Sequence, residues 1–91
     1  MMEVVDVSVE TIEGDHYQFV SVPETVVRAA VALAEADGGP LSMVNLDSAA
    51  IVIPWKSVRR VFYASVLADE ADPDAWRILW ERELMEARAV G

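Results

Sequence analysis

The chain has 91 residues, 54% of them hydrophobic, and its 16 acidic and 7 basic residues give a formal net charge of −9. This length predicts a single domain over residues 1–91, and the apolar content predicts a folded chain instead of a disordered acidic one. The negative charge makes nucleic-acid binding unexpected, because neutralisation of phosphates supplies most non-specific affinity. The absence of cysteine excludes disulfides and zinc–thiolate sites.

The amino terminus, "MMEVVDVSVE", lacks the positive region and the continuous apolar run of a signal peptide. The uncharged stretches of the chain are also shorter than a membrane span requires. We therefore expect a cytoplasmic protein without a membrane segment. The six Arg against one Lys, together with abundant Ala and Val, favour a high-GC bacterium or its phage as the source.

The first two predicted elements are strands. Residues 3–11 place Val5, Val7 and Val9 on one face, which is the two-residue period of a half-buried strand. The "EGD" at 13–15 has turn composition, and "HYQFVSV" at 16–22 reads as a second strand. Together the two segments predict an antiparallel hairpin.

A helix is predicted next, over "ETVVRAAVALAEA". Ser21 and Glu24 have the spacing of a capping box, and Val27 and Val31 share one stripe of the helix. The glycines beginning at Gly38, followed by a proline, predict its end.

Further strands are predicted from "LSMVNL" and "AAIVI", and the unbroken apolar run of the second predicts a strand covered on both sides. Pro54 ends that strand, and Trp55, Val58 and Val61, spaced three apart, predict one 3₁₀ turn before a last strand, "VFYASV". The predicted core comprises Val27, Val31, Ile51, Ile53, Val58 and Val61.

Three of the basic residues, Lys56, Arg59 and Arg60, fall within five positions. On a 3₁₀ turn they lie off the apolar stripe, so we interpret them as a solvated surface. Together with Trp55 they also form a possible ligand patch for weak nucleic-acid binding through Trp55–Arg60. That alternative is the less favoured, because three cations would face an excess of nine negative charges.

The spacing Ile53-Pro54-x-x-x-Val58-x-x-Val61 resembles the end of Src-homology-3-like small barrels, where an apolar residue and Pro lead through a 3₁₀ turn into the last strand. The resemblance covers about ten residues, and the aromatic peptide groove of that family is not evident. It implies a strongly bent antiparallel sheet in an α+β fold of order β-β-α-β-β-β-α. The expected architecture is a Src-homology-3-like or Sm-like small barrel with an inserted helix and a C-terminal helix.

The sheet and first helix are expected over 3–66, an acidic connector over 67–72 and the C-terminal helix over 73–90. Asp72 and Pro73 suit the start of a helix. One helical stripe contains the predicted interface residues Trp76, Leu79, Trp80 and Leu84, more apolar surface than a docking helix needs.

No motif for catalysis, metal binding or a cofactor is evident, and the lone His16 has no identifiable orienting partner. We therefore predict a non-enzymatic interaction or assembly module, a homo-oligomer formed through the C-terminal helix. The alternative is an acidic phage or bacterial inhibitor that imitates a polyanion and occupies a basic site on a partner protein.

Overall fold

The computed structural model describes residues 3–67 and 72–82 and has a mixed α+β fold. A four-stranded antiparallel sheet has the order β2-β1-β5-β6, and β3 and β4 form a separate two-stranded sheet. The predicted α+β class with a small antiparallel sheet is therefore confirmed. The elements are β1 (Val4–Thr11), β2 (His16–Pro23), α1 (Glu24–Asp37), β3 (Leu41–Val44), β4 (Ala50–Ile53), β5 (Val58–Ser65) and β6 (Arg77–Glu81), with 3₁₀ turns at Trp55–Ser57 and Pro73–Ala75.

Strand β1 lies at the centre of the larger sheet. Its residues Val5, Val7 and Val9 are almost completely buried, as their alternation predicts. Val9 faces Tyr17 of β2 on one side and Val61 of β5 on the other. The inner face of this sheet, α1 and the β3–β4 hairpin enclose the hydrophobic core.

The predicted helix is present as α1, and its buried stripe includes Val27 and Val31. It ends at Gly38, which adopts a left-handed conformation with φ 72°. The predicted capping box is wrong, because the N-cap is Pro23 and no side chain caps the helix. Ser21 instead lies in β2 at φ 59°, where its N–H donates to Asp6 Oδ1 at 3.1 Å.

The predicted path from strand through a 3₁₀ turn to strand is confirmed at Trp55–Ser57. Ile53, Val58 and Val61 are buried as predicted, whereas Ile51 is only partly buried against the core. The prediction that "AAIVI" is covered on both sides is wrong, since 63% of Val52 is exposed. Only one face of β4 packs on the core.

The predicted C-terminal helix over 73–90 is wrong in its described part. Asp72 caps a short 3₁₀ turn at Pro73–Ala75, and Arg77–Glu81 forms β6, an edge strand paired with β5. Glu81 faces Arg60 across the two strands, and Ile78 faces Phe62. Residues 68–71 of the predicted connector and 83–90 of the predicted helix lie outside the described residues.

The larger sheet is irregular but does not close. The pairing of β1 shifts register against both neighbours, and the pairing of β5 with β6 shifts between Val61 and Phe62. Such bulges bend and twist strands. Within residues 3–67 and 72–82 neither sheet forms a barrel.

Candidate functional site

The predicted interface residues do not share one surface. Leu79 and Trp80 lie in β6 and pack against the hydrophobic core, whereas Trp76 precedes β6 and lines a shallow depression with Ser8 and Phe62 on the opposite face of the sheet. Leu84 lies outside the described residues. The helical stripe is therefore not formed by Trp76, Leu79 and Trp80.

Trp80 belongs to a cluster that we call the Trp–Arg cluster, made of Trp55, Trp80 and Arg82. The ring centroids of the two tryptophans are 4.2 Å apart with planes inclined at 46°. The guanidinium of Arg82 lies 5.7 Å from the centroid of Trp55 and 5.1 Å from that of Trp80. These distances suit cation–π attraction to both rings.

Hydrogen bonds fix the Trp–Arg cluster to the backbone around it. Arg82 donates from Nε to the carbonyl of Val58 and from Nη2 to the carbonyl of Trp55, each at 2.9 Å. The indole N–H of Trp80 donates to Glu35 on α1. The cluster thus joins the end of β6 to the 3₁₀ turn and to the helix, which is a structural use of these aromatic side chains.

The possible ligand patch is dispersed in the structure. Trp55 is buried, with 8% of its surface exposed, and Lys56 is exposed. Arg59 and Arg60 are partly buried instead of pointing fully to solvent, and Arg59 Nε has no hydrogen-bond partner among the described residues.

Arg60 is engaged on the outer face of the larger sheet. Its Nη1 donates to Glu10 at 2.8 Å, and its Nε donates to Glu81. The hydrogen bond to Glu81 is the main reason that the pKa of Arg60 is raised, with the nearby charge of Glu10 contributing. His16 Nε2 lies 3.1 Å from the same Glu10 carboxylate. Arg60 is thereby paired with two carboxylates, which leaves it little capacity to bind phosphate.

Among residues 3–67 and 72–82, the β3–β4 hairpin exposes an apolar surface. Its outer face and turn expose a set that we call the hairpin patch, made of Val44, Leu46 and Val52, with exposed fractions of 49%, 56% and 63%. Ala50 faces Val44 across the hairpin and is also exposed. Three sizeable aliphatic side chains on one small hairpin form a surface of the kind that interaction sites use.

Strand β4 has a free edge. Within the described residues it pairs with β3 alone. From Gly38 to Pro54 the only charged residue is Asp47, so no charge blocks this edge against another strand. The edge of β6, by contrast, carries Arg77 and Glu81 at its ends.

A groove of about 560 Å³ lies at the open end of the hairpin, between the residues before β3 and the end of β4. It is lined by Gly38, Gly39, Pro40, Val52, Pro54, Trp55 and Lys56. The groove is therefore mostly apolar and has one cation. The sequence did offer a signal for this surface, namely the uncharged run between Asp47 and Lys56, but that run reads equally well as a covered strand.

A second groove, of about 440 Å³, is acidic. Glu3, Glu24 and Asp74 line it, together with Tyr63 and Arg77. Glu24 is already paired with Arg28 at 2.9 Å, so Glu3 and Asp74 are the carboxylates of this groove that suit a cationic side chain of a partner.

Within residues 3–67 and 72–82, no three His, Asp or Glu side chains are arranged to hold a metal ion. No helix in the same residues has both the length and the apolar character needed to cross a membrane. Comparisons of the chain with protein-family models, curated proteins and solved structures find no match. Function is therefore inferred from the geometry of the described residues.

Proposed function

We propose that this domain is a non-enzymatic assembly module whose copies associate through the β3–β4 hairpin. The single observation that carries the proposal is the uncharged free edge of β4 next to the exposed hairpin patch. An open strand edge offers unpaired backbone N–H and C=O groups to another chain. This surface replaces the C-terminal helix of the sequence-based hypothesis.

Electrostatics allow the contact despite the net charge of −9. At physiological ionic strength, charges more than about 8 Å apart are largely screened. Around the hairpin the only charged residues between Gly38 and Ser57 are Asp47 and Lys56, of opposite sign. Burial of the hairpin patch then favours association through the hydrophobic effect.

Light scattering coupled to size exclusion tests the proposal. Wild type should have a mass of about twice the 10.0 kDa of one chain, or more, at micromolar concentration. Val52→Lys should lower that mass toward one chain, because it places a charge on the free edge.

The matched control is Leu33→Lys. Leu33 lies on α1 and is 65% exposed, close to the 63% of Val52, so both lysines remain in solvent and neither should unfold the domain. Leu33→Lys should leave the mass unchanged. A monomeric wild type, or equal effects of the two variants, would contradict the proposal.

The second candidate is an acidic inhibitor that occupies a basic site of a partner protein. The specific observation in its favour is the groove lined by the carboxylates of Glu3 and Asp74, beside the Glu24–Arg28 ion pair. An inhibitor of this kind should bind a cationic partner less tightly as salt increases, and Glu3→Gln with Asp74→Asn should weaken that binding. A monomeric wild type that binds polylysine in this way would favour this candidate.

Nucleic-acid binding through Trp55–Arg60 has the least support, because Trp55 is buried and Arg60 is paired with two carboxylates. The Src-homology-3-like or Sm-like barrel stays a hypothesis for the fold. Its support is the 3₁₀ turn at Trp55–Ser57 between β4 and β5.

A further inference from the structure

The backbone of β4 limits how a second copy can pair with it. At the hairpin turn the N–H of Asn45 donates to the carbonyl of Ala49 at 3.0 Å, and the β3–β4 pairs continue this register. In an antiparallel ladder, hydrogen-bonded pairs alternate with non-hydrogen-bonded pairs. Ile51 and Ile53 therefore bond to β3, whereas the N–H and C=O groups of Ala50 and Val52 point toward the free edge.

From this pattern we infer that two copies join β4 to β4 in antiparallel register about a two-fold axis at Ile51. This inference rests on the proposed function and names its partner as a second copy of this chain. In this register Ala50 faces the partner's Val52, and Val52 faces the partner's Ala50. All the outward groups of both residues then find partners, which makes the strand complementary to itself.

Other antiparallel registers leave backbone N–H or C=O groups of β4 unpaired. If Val52 faced the partner's Val52, Ala50 would face the partner's Pro54, which has no N–H to donate. If Ala50 faced the partner's Ala50, Val52 would face the partner's Ser48, beyond the end of the partner's strand β4. The axis at Ile51 uses both residues without Pro54 as a donor.

The same axis brings the turn of one copy to the groove of the other. Residues 46–48 of one hairpin come opposite residues 54–56 of the partner. Leu46, 56% exposed, then covers the apolar groove at the partner's Pro54 and the partner's Trp55. Asp47 approaches the partner's Lys56, so the two charged residues of the segment between Gly38 and Ser57 are complementary.

A charge-exchange experiment tests the register by sedimentation equilibrium at low salt. Asp47→Lys and Lys56→Asp should each raise the dimer Kd about tenfold, because each change creates like-charge contacts at both ends of the two-fold interface. The double variant should return the Kd to within about threefold of wild type, because both contacts become attractive again with reversed sign.

Asp74→Lys is the control, since Asp74 is exposed in the 3₁₀ turn before β6 and lines the acidic groove, no residue of which belongs to the hairpin. It changes the net charge as much as Asp47→Lys does and should change the Kd by less than about threefold. Circular dichroism checks that every variant is folded. A dimeric wild type whose double variant is no tighter than the single variants would overturn the register and leave self-association standing. A monomeric wild type would overturn the proposed function itself.

Discussion

Replacing Arg82 with Met should weaken the attachment of β6 to the rest of the domain. The substitution keeps an unbranched apolar side chain but removes the guanidinium that donates to the carbonyls of Val58 and Trp55. A hydrogen bond from a charged donor contributes about 1.5–3 kcal/mol, and partial exposure of Arg82 places both bonds near the lower value. Cation–π contact with the two indoles adds about 0.5 kcal/mol each at such a site.

The sum is a loss of about 4 kcal/mol from the free energy of unfolding, a large share of the roughly 5–15 kcal/mol typical of a domain. The midpoint of thermal unfolding should fall by more than about 10 °C. Urea unfolding followed by far-ultraviolet circular dichroism measures this change without depending on the local tryptophan environment. Protein concentration must be equal throughout, because association stabilises the folded state.

Arg77→Met is the matched control for Arg82→Met. Arg77 is the first residue of β6, the strand that Arg82 follows, and its side chain is exposed. The Arg77→Met substitution should change the free energy of unfolding by less than about 0.5 kcal/mol. If both variants unfolded at the same urea concentration as wild type, the Trp–Arg cluster would not stabilise the fold and the reasoning above would be wrong.

Three further predictions concern the helix, its end and the outer face of the sheet. Val31→Asp should unfold the domain, because it buries an unpaired carboxylate at a cost of several kcal/mol, whereas Leu33→Asp should melt near wild type by circular dichroism. Gly38→Ala should lower the free energy of unfolding in urea by about 1 kcal/mol, because Gly38 has a positive φ. Gly39→Ala should lower it by less, since Gly39 does not have that conformation, and equal losses would contradict this explanation. Arg60→Gln should lower the melting temperature at low salt and less so at molar salt, whereas a salt-independent effect would argue against its ion pairs. The raised pKa keeps Arg60 charged, and the stability that such an ion pair provides is lost only as the pH rises through that pKa. The difference in melting temperature between wild type and Arg60→Gln should therefore stay constant from neutral pH into the alkaline range.

Most strands and α1 could be predicted because one hydrophobic period dominates each segment. The alternation of Val5, Val7 and Val9 leaves no competing interpretation, and the stripe of Val27 and Val31 has only helical spacing. The 3₁₀ turn follows from Pro54 and the three-residue spacing after it. These are local signals, and tertiary packing agrees with them.

Strand β6 could not be predicted because its pattern is irregular. A register shift near Leu79 places both Leu79 and Trp80 against the core, so the two-residue period is broken within the strand. Trp76, Leu79 and Trp80 then have helical spacing by coincidence. The free side of β5 and the stacking of Trp80 on Trp55 override that local pattern, and neither is visible in the segment itself.

The free edge of β4 could not be predicted for a related reason. An apolar run such as "AAIVI" has the same composition whether one face or both faces of the strand are covered. The difference depends on whether β4 joins the four-stranded sheet. In the structure β1 pairs with β5 and not with β4, so β4 stays in the separate hairpin. The candidate site is thus a product of topology more than of any motif.

The central position of β1 has a consequence for how the domain folds as it is synthesised. One neighbour of β1, strand β2, follows it within a short turn, but the other, β5, faces Val9 with Val61, about fifty residues later. At about 5–20 residues per second, several seconds pass on the ribosome between the synthesis of β1 and that of β5. During that interval the valine-rich strand β1 has one unpaired edge, and closure of the long loop to β5 is the step that we expect to limit the folding rate.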